Sequence, residues 1–446
     1  MPRRSLILQL AAAFGLGAVT ALGLALGGVL PADAKPPADA LARLKARFVK
    51  PDTIPFPSNN AYSAEKRALG EKLFHETRLS GTGAMSCATC HQQALGFADG
   101  KVRSPGHDGA RLQRHTPTLW NLAWGVDYFW DGRARSLEEQ VIAPIESRDE
   151  MAMPIGTALA TIEKDDAYVK AFAAAFPEEP RVSRENLQKA LATYVRTFAS
   201  PPTRFDRWIA GDANALTADE AAGFQVFAGK AKCANCHSGF AFTDEAFHDI
   251  GLPGRDRGRG AVLRLAAADH AFKTPGLREV ARSAPYMHDG SLASLEDVVN
   301  HYESGIVKRK SLSRDLQRGL KLTPVERGQL IAFLKSLSNE DAPNLPASIQ
   351  PAPSAVEVVA ARTHTVTQDD KQFQPGRISI RKGERAWIVN NDTRTHNVRI
   401  FDPKLNFDSG AQEPGETVQI AFPVTGSFLV FCGIHPKMEL RVEVEP

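Results

Sequence analysis

Each of the five cysteines lies in a stretch suited to holding a redox centre. Cys87 and Cys90 belong to Cys87-Ala-Thr-Cys90-His91, and Cys233 and Cys236 to Cys233-Ala-Asn-Cys236-His237. Both are C-x-x-C-H, the signature of covalent c-type haem attachment. The thiols bond the haem vinyl groups and the following histidine ligates iron, so His91 and His237 are the expected proximal ligands. Cys432 opens Cys432-Gly-Ile-His435-Pro-Lys-Met438, and His396 lies 36 residues upstream. One thiolate, two imidazoles and a weak thioether form the donor set of a blue (type 1) copper centre, although zinc would also bind it. Asn397 is placed to hydrogen-bond the Cys432 sulfur. No cysteine is left for a disulfide, so an oxidising compartment serves cofactors here rather than cross-links.

The elements that must position these residues divide the chain. At 446 residues it is too long for one core, and about three domains are expected. Hydrophobic content of 43% with 24% charge is that of a soluble globular protein, and a net charge of +3 gives no reason to expect nucleic acid as a partner. Arg3 and Arg4 precede an apolar stretch from Leu6 to Leu30, and Ala32-Asp33-Ala34 has the form of a cleavage site. Residues 1–34 thus read as a signal peptide and the remainder as periplasmic, with an uncleaved membrane anchor as the alternative.

The two haem motifs sit in a repeated frame. Gly70-Glu-Lys-Leu-Phe74 precedes the first and Gly223-Phe-Gln-Val-Phe227 the second. Downstream, Thr116-Pro117, Asp131-Gly132 and Ser136-Leu137-Glu138 recur as Thr274-Pro275, Asp289-Gly290 and Ser294-Leu295-Glu296, always 158 residues later. Such spacing predicts two related domains. Both look helical: Thr217 with Glu220 and Thr323 with Glu326 are capping boxes, and Ser183 opens an amphipathic segment through Leu187, Leu191, Tyr194 and Phe198. The composition from 339 to 354 reads as a linker. Beyond it, alternating segments at Arg377–Ile380, Ala386–Val389, Val398–Phe401, Val418–Phe422 and Phe428–Phe431 predict a β-sandwich. The expected architecture is multidomain: mainly α cytochrome domains over 35–200 and 201–338, a linker over 339–354, and an all-β sandwich over 355–446.

Phe129-Trp130-Asp131-Gly132-Arg133-Ala134, Leu137-Glu-Glu-Gln140, Glu150-Met151 and Ala284-Pro-Tyr-Met-His288-Asp-Gly290 resemble the bacterial di-haem cytochrome c peroxidase and MauG family over about residues 50 to 338. The Cys-x-x-His-x-x-Met loop resembles that of amicyanin-like cupredoxins. The first resemblance implies that the first haem is peroxidatic, that Trp130 lies between the haems, and that Gln140 and Glu150 stand above the open iron. It implies a displaceable iron ligand at His107, a histidine near the second haem at His288, and an axial ligand to the second iron at Tyr302. Leu295, Val298, Val299 and Tyr302 also share one face of the helix opened by Ser294, pointing Tyr302 inward. His301 and Met287 are its rivals. The family binds calcium between its domains partly through an Asn side chain, but His115 stands at that position and is a poor ligand for a hard cation. His75, His248, His270 and His364 read as loop or surface residues.

The expected cofactors are therefore two covalent haems c and one type 1 copper. The expected reaction is hydrogen peroxide reduction, with electrons passing from an external small donor (a cytochrome c, a cupredoxin or a quinol-linked protein) through the copper domain and second haem to the first. The alternative is a MauG-like oxidase that holds two oxidising equivalents on the haem pair and oxidises side chains of a partner protein. A plain electron relay is a third reading, which the pairing of Glu150 with Gln140 disfavours. The family resemblance also implies a homodimer.

Overall fold

Local capping and two helix crossings dictate the α-helical part. The structure, a computed structural model, describes residues 38–339 and 364–446 apart from 393–395, 403, 410, 411, 413 and 433–437. The expected leader, most of the expected linker, and His435, expected as a copper ligand, lie outside the described residues. The chain forms two units, to Leu44 and from Lys45. The first is described only by the start of a short helix, Ala38–Ala46.

In the second unit the first haem domain is built from α1 (Ala64–Phe74), α2 (Leu137–Gln140), α3 (Ala143–Glu146) and α4 (Arg184–Arg196). The next domain carries α5 (Ala218–Ala228), α6 (Leu295–Asn300) and α7 (Pro324–Ser336). The expected caps form. Ser183 accepts from Asn186 N–H, and Thr217 and Thr323 make full capping boxes with Glu220 and Glu326, each stabilising its helix by about 1 kcal/mol. Helix α1 packs on α4, and α5 on α7. At each crossing the glycine of the repeated motif brings the backbones together: a Cβ on Gly70 would collide with Ala190 O, and one on Gly223 with Gln329 O. Only glycine permits that approach. Phe205, Phe224, Phe227, Phe242 and Phe333 pack mutually edge-on and tilted to fill the second core.

The duplication extends to backbone detail. Tyr128 bridges Ala134 just as Tyr286 bridges Leu292, 158 residues on. The same left-handed φ recurs at Asn121 and Glu279 (62° in both), Phe129 and Met287 (67° and 75°), and Gly132 and Gly290 (67° and 64°). The helical part ends in an anchored exit. Asn339 N–H donates to the buried Glu279 carboxylate at 3.2 and 3.3 Å, and its Nδ2 donates to Pro202 O at 3.1 Å. Burial pushes Glu279 up to about 7.

The C-terminal domain is a sandwich of nine strands among the described residues. They are β1 (His364–Asp369), β2 (Gln372–Gln374), β3 (Arg377–Arg381), β4 (Arg385–Asn390), β5 (Arg399–Asp402), β6 (Leu405–Asp408), β7 (Thr417–Ala421), β8 (Gly426–Phe431) and β9 (Glu439–Glu445). One sheet runs β3-β9-β8-β5-β6 and the other β2-β1-β4-β7, with β3/β9 and β1/β4 parallel. Alternating residues such as Val366, Ile388, Ile400, Phe428, Val430 and Val442 fill the space between them. Five strands match the sequence reading; β1, β2, β6 and β9 are additional. Among the described residues no helix is long and apolar enough to cross a membrane.

Candidate haem and copper sites

Both C-x-x-C-H motifs line one cavity of about 740 Å³. Cys87–Cys90 form a single helical turn capped by Ser86, and Cys233–Asn235 a 3₁₀ turn, so each delivers its histidine into the cavity. His91 Nδ1 lies 2.8 Å from Phe97 O, and His237 Nδ1 lies 2.9 Å from Phe242 O. Burial lowers both imidazoles below their ordinary range, so they are neutral. A neutral ring that donates from Nδ1 to a carbonyl presents an unprotonated Nε2, the form that ligates a metal. Phe97 and Phe242 turn their carbonyls back through left-handed φ of 60° and 56°. These residues fit two haems.

Trp130, Gln140, Glu150, His288 and Tyr302 all line this cavity. Gln140 ends α2, whose N-cap Ser136 accepts from Glu139 N–H. Glu150 follows α3. Burial holds its carboxyl above the ordinary range, opposed by Arg133 and reinforced by Asp149. Trp130 Nε1 donates to His115 O at 2.9 Å. His288 stacks on Phe272 with ring centroids 3.5 Å apart, and burial lowers it to about 4.

The expected inward stripe is observed: Leu295, Val298, Val299 and Tyr302 all face the cavity. The helix widens into a π turn over His301–Gly305, a feature frequent at functional sites. Burial raises the Tyr302 phenol well above its usual range, and Cys233 and Cys236 are among its neighbours. Of the rivals, Met287 lines the cavity but His301 does not; His301 Nε2 lies 2.9 Å from Ile250 O.

His107 is not brought into the cavity lining. Its ring faces Gly81, Nε2 sits 3.1 Å from Asp108 Oδ2, and the buried Nδ1 has no partner among the described residues. The loop backbone is the cause. His107 N–H donates to Asp149 O at 3.0 Å, and Asp108 takes a left-handed φ of 51°. His248, read from sequence as a loop or surface residue, instead lines the cavity and lies 2.7 Å from Asp244 Oδ2. The Asp244 carboxylate, and then the Cys236 sulfur, raise it to about 10. Only the first cause persists once Cys236 is a thioether. Pro144, also in the lining, was not singled out, though it lies 158 residues before Tyr302.

In the sandwich, His396, Cys432 and Met438 are buried at the end where β8 leaves its sheet. Cys432 Sγ lies 3.8 Å from His396 Nδ1 and accepts from Asn397 N–H at 3.5 Å. The sulfur brace expected at Asn397 is thus its backbone. Cys432 N–H donates to Met438 O at 3.1 Å, closing the loop between them. His396 Nε2 lies 3.1 Å from Asp392 Oδ2, which orients Nδ1 toward the sulfur. Asp392 was not anticipated, although its place four residues before a candidate ligand is a readable signal. A buried thiol, an oriented imidazole and a thioether fit copper.

Family models match both parts of the chain: di-haem cytochrome c peroxidase over residues 64–214, and copper binding proteins of the plastocyanin/azurin family over residues 360–445. The methylamine utilization protein MauG of Methylorubrum extorquens is 46% identical over 313 residues, spanning 69% of this chain and 88% of that relative. The cytochrome c551 peroxidase of Pseudomonas aeruginosa is 33% identical over 352 residues, spanning 75% and 98%. Among solved structures, a MauG-like protein associated with microbial copper homeostasis is similar with a TM-score of 0.61 at 33% identity, covering 68% of this chain and 98% of its own.

Proposed function

Because the chain belongs to the di-haem cytochrome c peroxidase and MauG family and ends in a plastocyanin/azurin-type copper-binding domain, we propose that it is an exported, periplasmic peroxide reductase with a tethered electron donor. The reaction is H2O2 + 2 e⁻ + 2 H⁺ → 2 H2O. When bound, the copper and haems supply one-electron transfer, and the iron at His91 supplies peroxide activation. The observation that carries this reading is the pairing of Gln140 and Glu150 in the cavity lined by His91, where Pro144 stands in place of a ligating side chain.

Glu150 takes the proton from the inner peroxide oxygen and returns it to the outer one, which leaves as water. A carboxylate partly withdrawn from solvent, with its affinity for protons raised, suits both halves of that transfer. The Gln140 amide holds the oxygens in line. Trp130 would link the two haem sites, and Tyr302 would hold the second iron through its phenolate oxygen, a donor that favours the ferric state. His396, Cys432, His435 and Met438 hold the copper. A linker of this length puts the donor domain at an effective concentration toward the mM range.

Steady-state peroxide consumption with a reduced small donor, on protein of verified haem and copper content, tests the reading. Rapid turnover that falls when Cys432→Ser removes the copper supports it. Slow turnover, with oxidation of side chains on a partner protein, supports the MauG-like reading, which His107 facing Gly81 rather than the cavity favours. No peroxide consumption sinks both.

A further inference from the structure

The haem domains meet at a seam fastened by two backbone bonds related by the repeat. His115 N–H donates to His288 O and Lys273 N–H donates to Trp130 O, each at 2.8 Å. Positions 115 and 273, and 130 and 288, are equivalents 158 residues apart. Trp130 is therefore held twice, through its carbonyl by the second domain and through Nε1 by His115 O.

Charge crosses the same seam. Arg114 donates from Nε and Nη2 to the two oxygens of Asp256 at 2.8 and 3.0 Å, and from Nη1 to Asp131 Oδ2 at 2.6 Å. Asp131 adjoins Trp130; Asp256 belongs to the second domain. Arg133 also reaches Asp131, and Arg259 donates to the carbonyls of Asp131 and Gly132. The calcium that the family resemblance implies does not fit here. The side chain at 115 is an imidazole, buried and 2.8 Å from Lys101 O through Nδ1. The carboxylates of Asp131 and Asp256 are already bridged by a guanidinium, whose charge would repel a second cation.

We propose that Arg114, with His115 beside it, closes the seam in place of a metal ion, and that Arg114 is the positioning residue that fixes the Asp131–Trp130 turn against the second domain. A guanidinium suits this task because it stays charged at any accessible pH and bridges two carboxylates in fixed geometry. The positioning part rests on Trp130 linking the haems; the metal part does not.

The holoprotein, purified in calcium-containing buffer and desalted, should carry substoichiometric calcium. EGTA should leave the visible and EPR spectra of both haems unchanged. Arg114→Gln should slow electron transfer between the haems about tenfold at unchanged haem content, and Arg114→Lys should restore part of the rate. One calcium per chain, or spectra that respond to EGTA, overturns the metal-free seam. A wild-type interhaem rate in Arg114→Gln overturns the positioning role. A wild-type rate in Trp130→Phe overturns the Trp130 link itself, and with it the positioning role, while the calcium measurement still decides the rest.

Discussion

Position for position, Pro144 in the first haem domain corresponds to Tyr302 in the second, and Gln140 to Val298. All four line the cavity. The surrounding frame is the same in both domains: a Ser cap, a Leu-Glu helix start, a Tyr-anchored turn with left-handed φ, and a histidine locked through Nδ1. The two substitutions separate the halves chemically. Proline offers no ligand and the neighbouring amide can hold a polar substrate; tyrosine offers an oxygen and the neighbouring valine excludes water. A duplicated scaffold can thus hold one accessible iron and one closed iron on the same Ser-capped helix start, which breaks after Gln140 in the first domain and runs on into a π turn in the second.

The largest test of that contrast is Glu150→Gln. Peroxide turnover should fall about 10²–10³-fold with both haems retained by haem assay. In the unaltered protein, turnover should decline as pH falls through the raised Glu150 pKa, because the protonated acid cannot accept the peroxide proton. That acid limb should sit above the usual carboxylate range and disappear in Glu150→Gln. Pro144→Tyr would transplant the closed character, and turnover should drop about tenfold as the first iron gains a phenol ligand, read from its high-spin to low-spin change. Tyr302→Phe should alter turnover less. Its signature is loss of a tyrosinate Raman band and a rise in the second haem's potential. Gly70→Ala and Gly223→Ala should each leave the chemistry alone but cost about 1–3 kcal/mol, measured as a fall in melting temperature. A markedly unequal cost would argue against equivalent crossings.

Much of this contrast is legible in the residues. The haem motifs, the caps at Ser183, Thr217 and Thr323, and the stripe ending at Tyr302 are short-range patterns that survive folding, and the 158-residue frame shows because such patterns recur in order. Strand β9 alternates cleanly over Glu439–Glu445 and could have been read; β2, at three residues, could not. His248 gave no signal, because its partner Asp244 and its place in the cavity depend on the fold of a loop. The Arg114–Asp256 pair spans 142 residues, a separation no local pattern encodes. The resemblance pointed to His107 as an iron ligand, but the side chain's direction is set by a left-handed Asp108 and a bond to Asp149, which a motif does not specify.

The anchored exit at Asn339 bears on how the two redox parts could have been joined. With its origin pinned to Glu279 and Pro202, the tether's reach depends on linker length rather than on where the chain leaves the helical part. Doubling a flexible tether raises its closure cost by only about 0.6 kcal/mol, less than a threefold dilution of the donor. Insertions and deletions in the linker sequence should therefore be nearly neutral for the proposed electron supply.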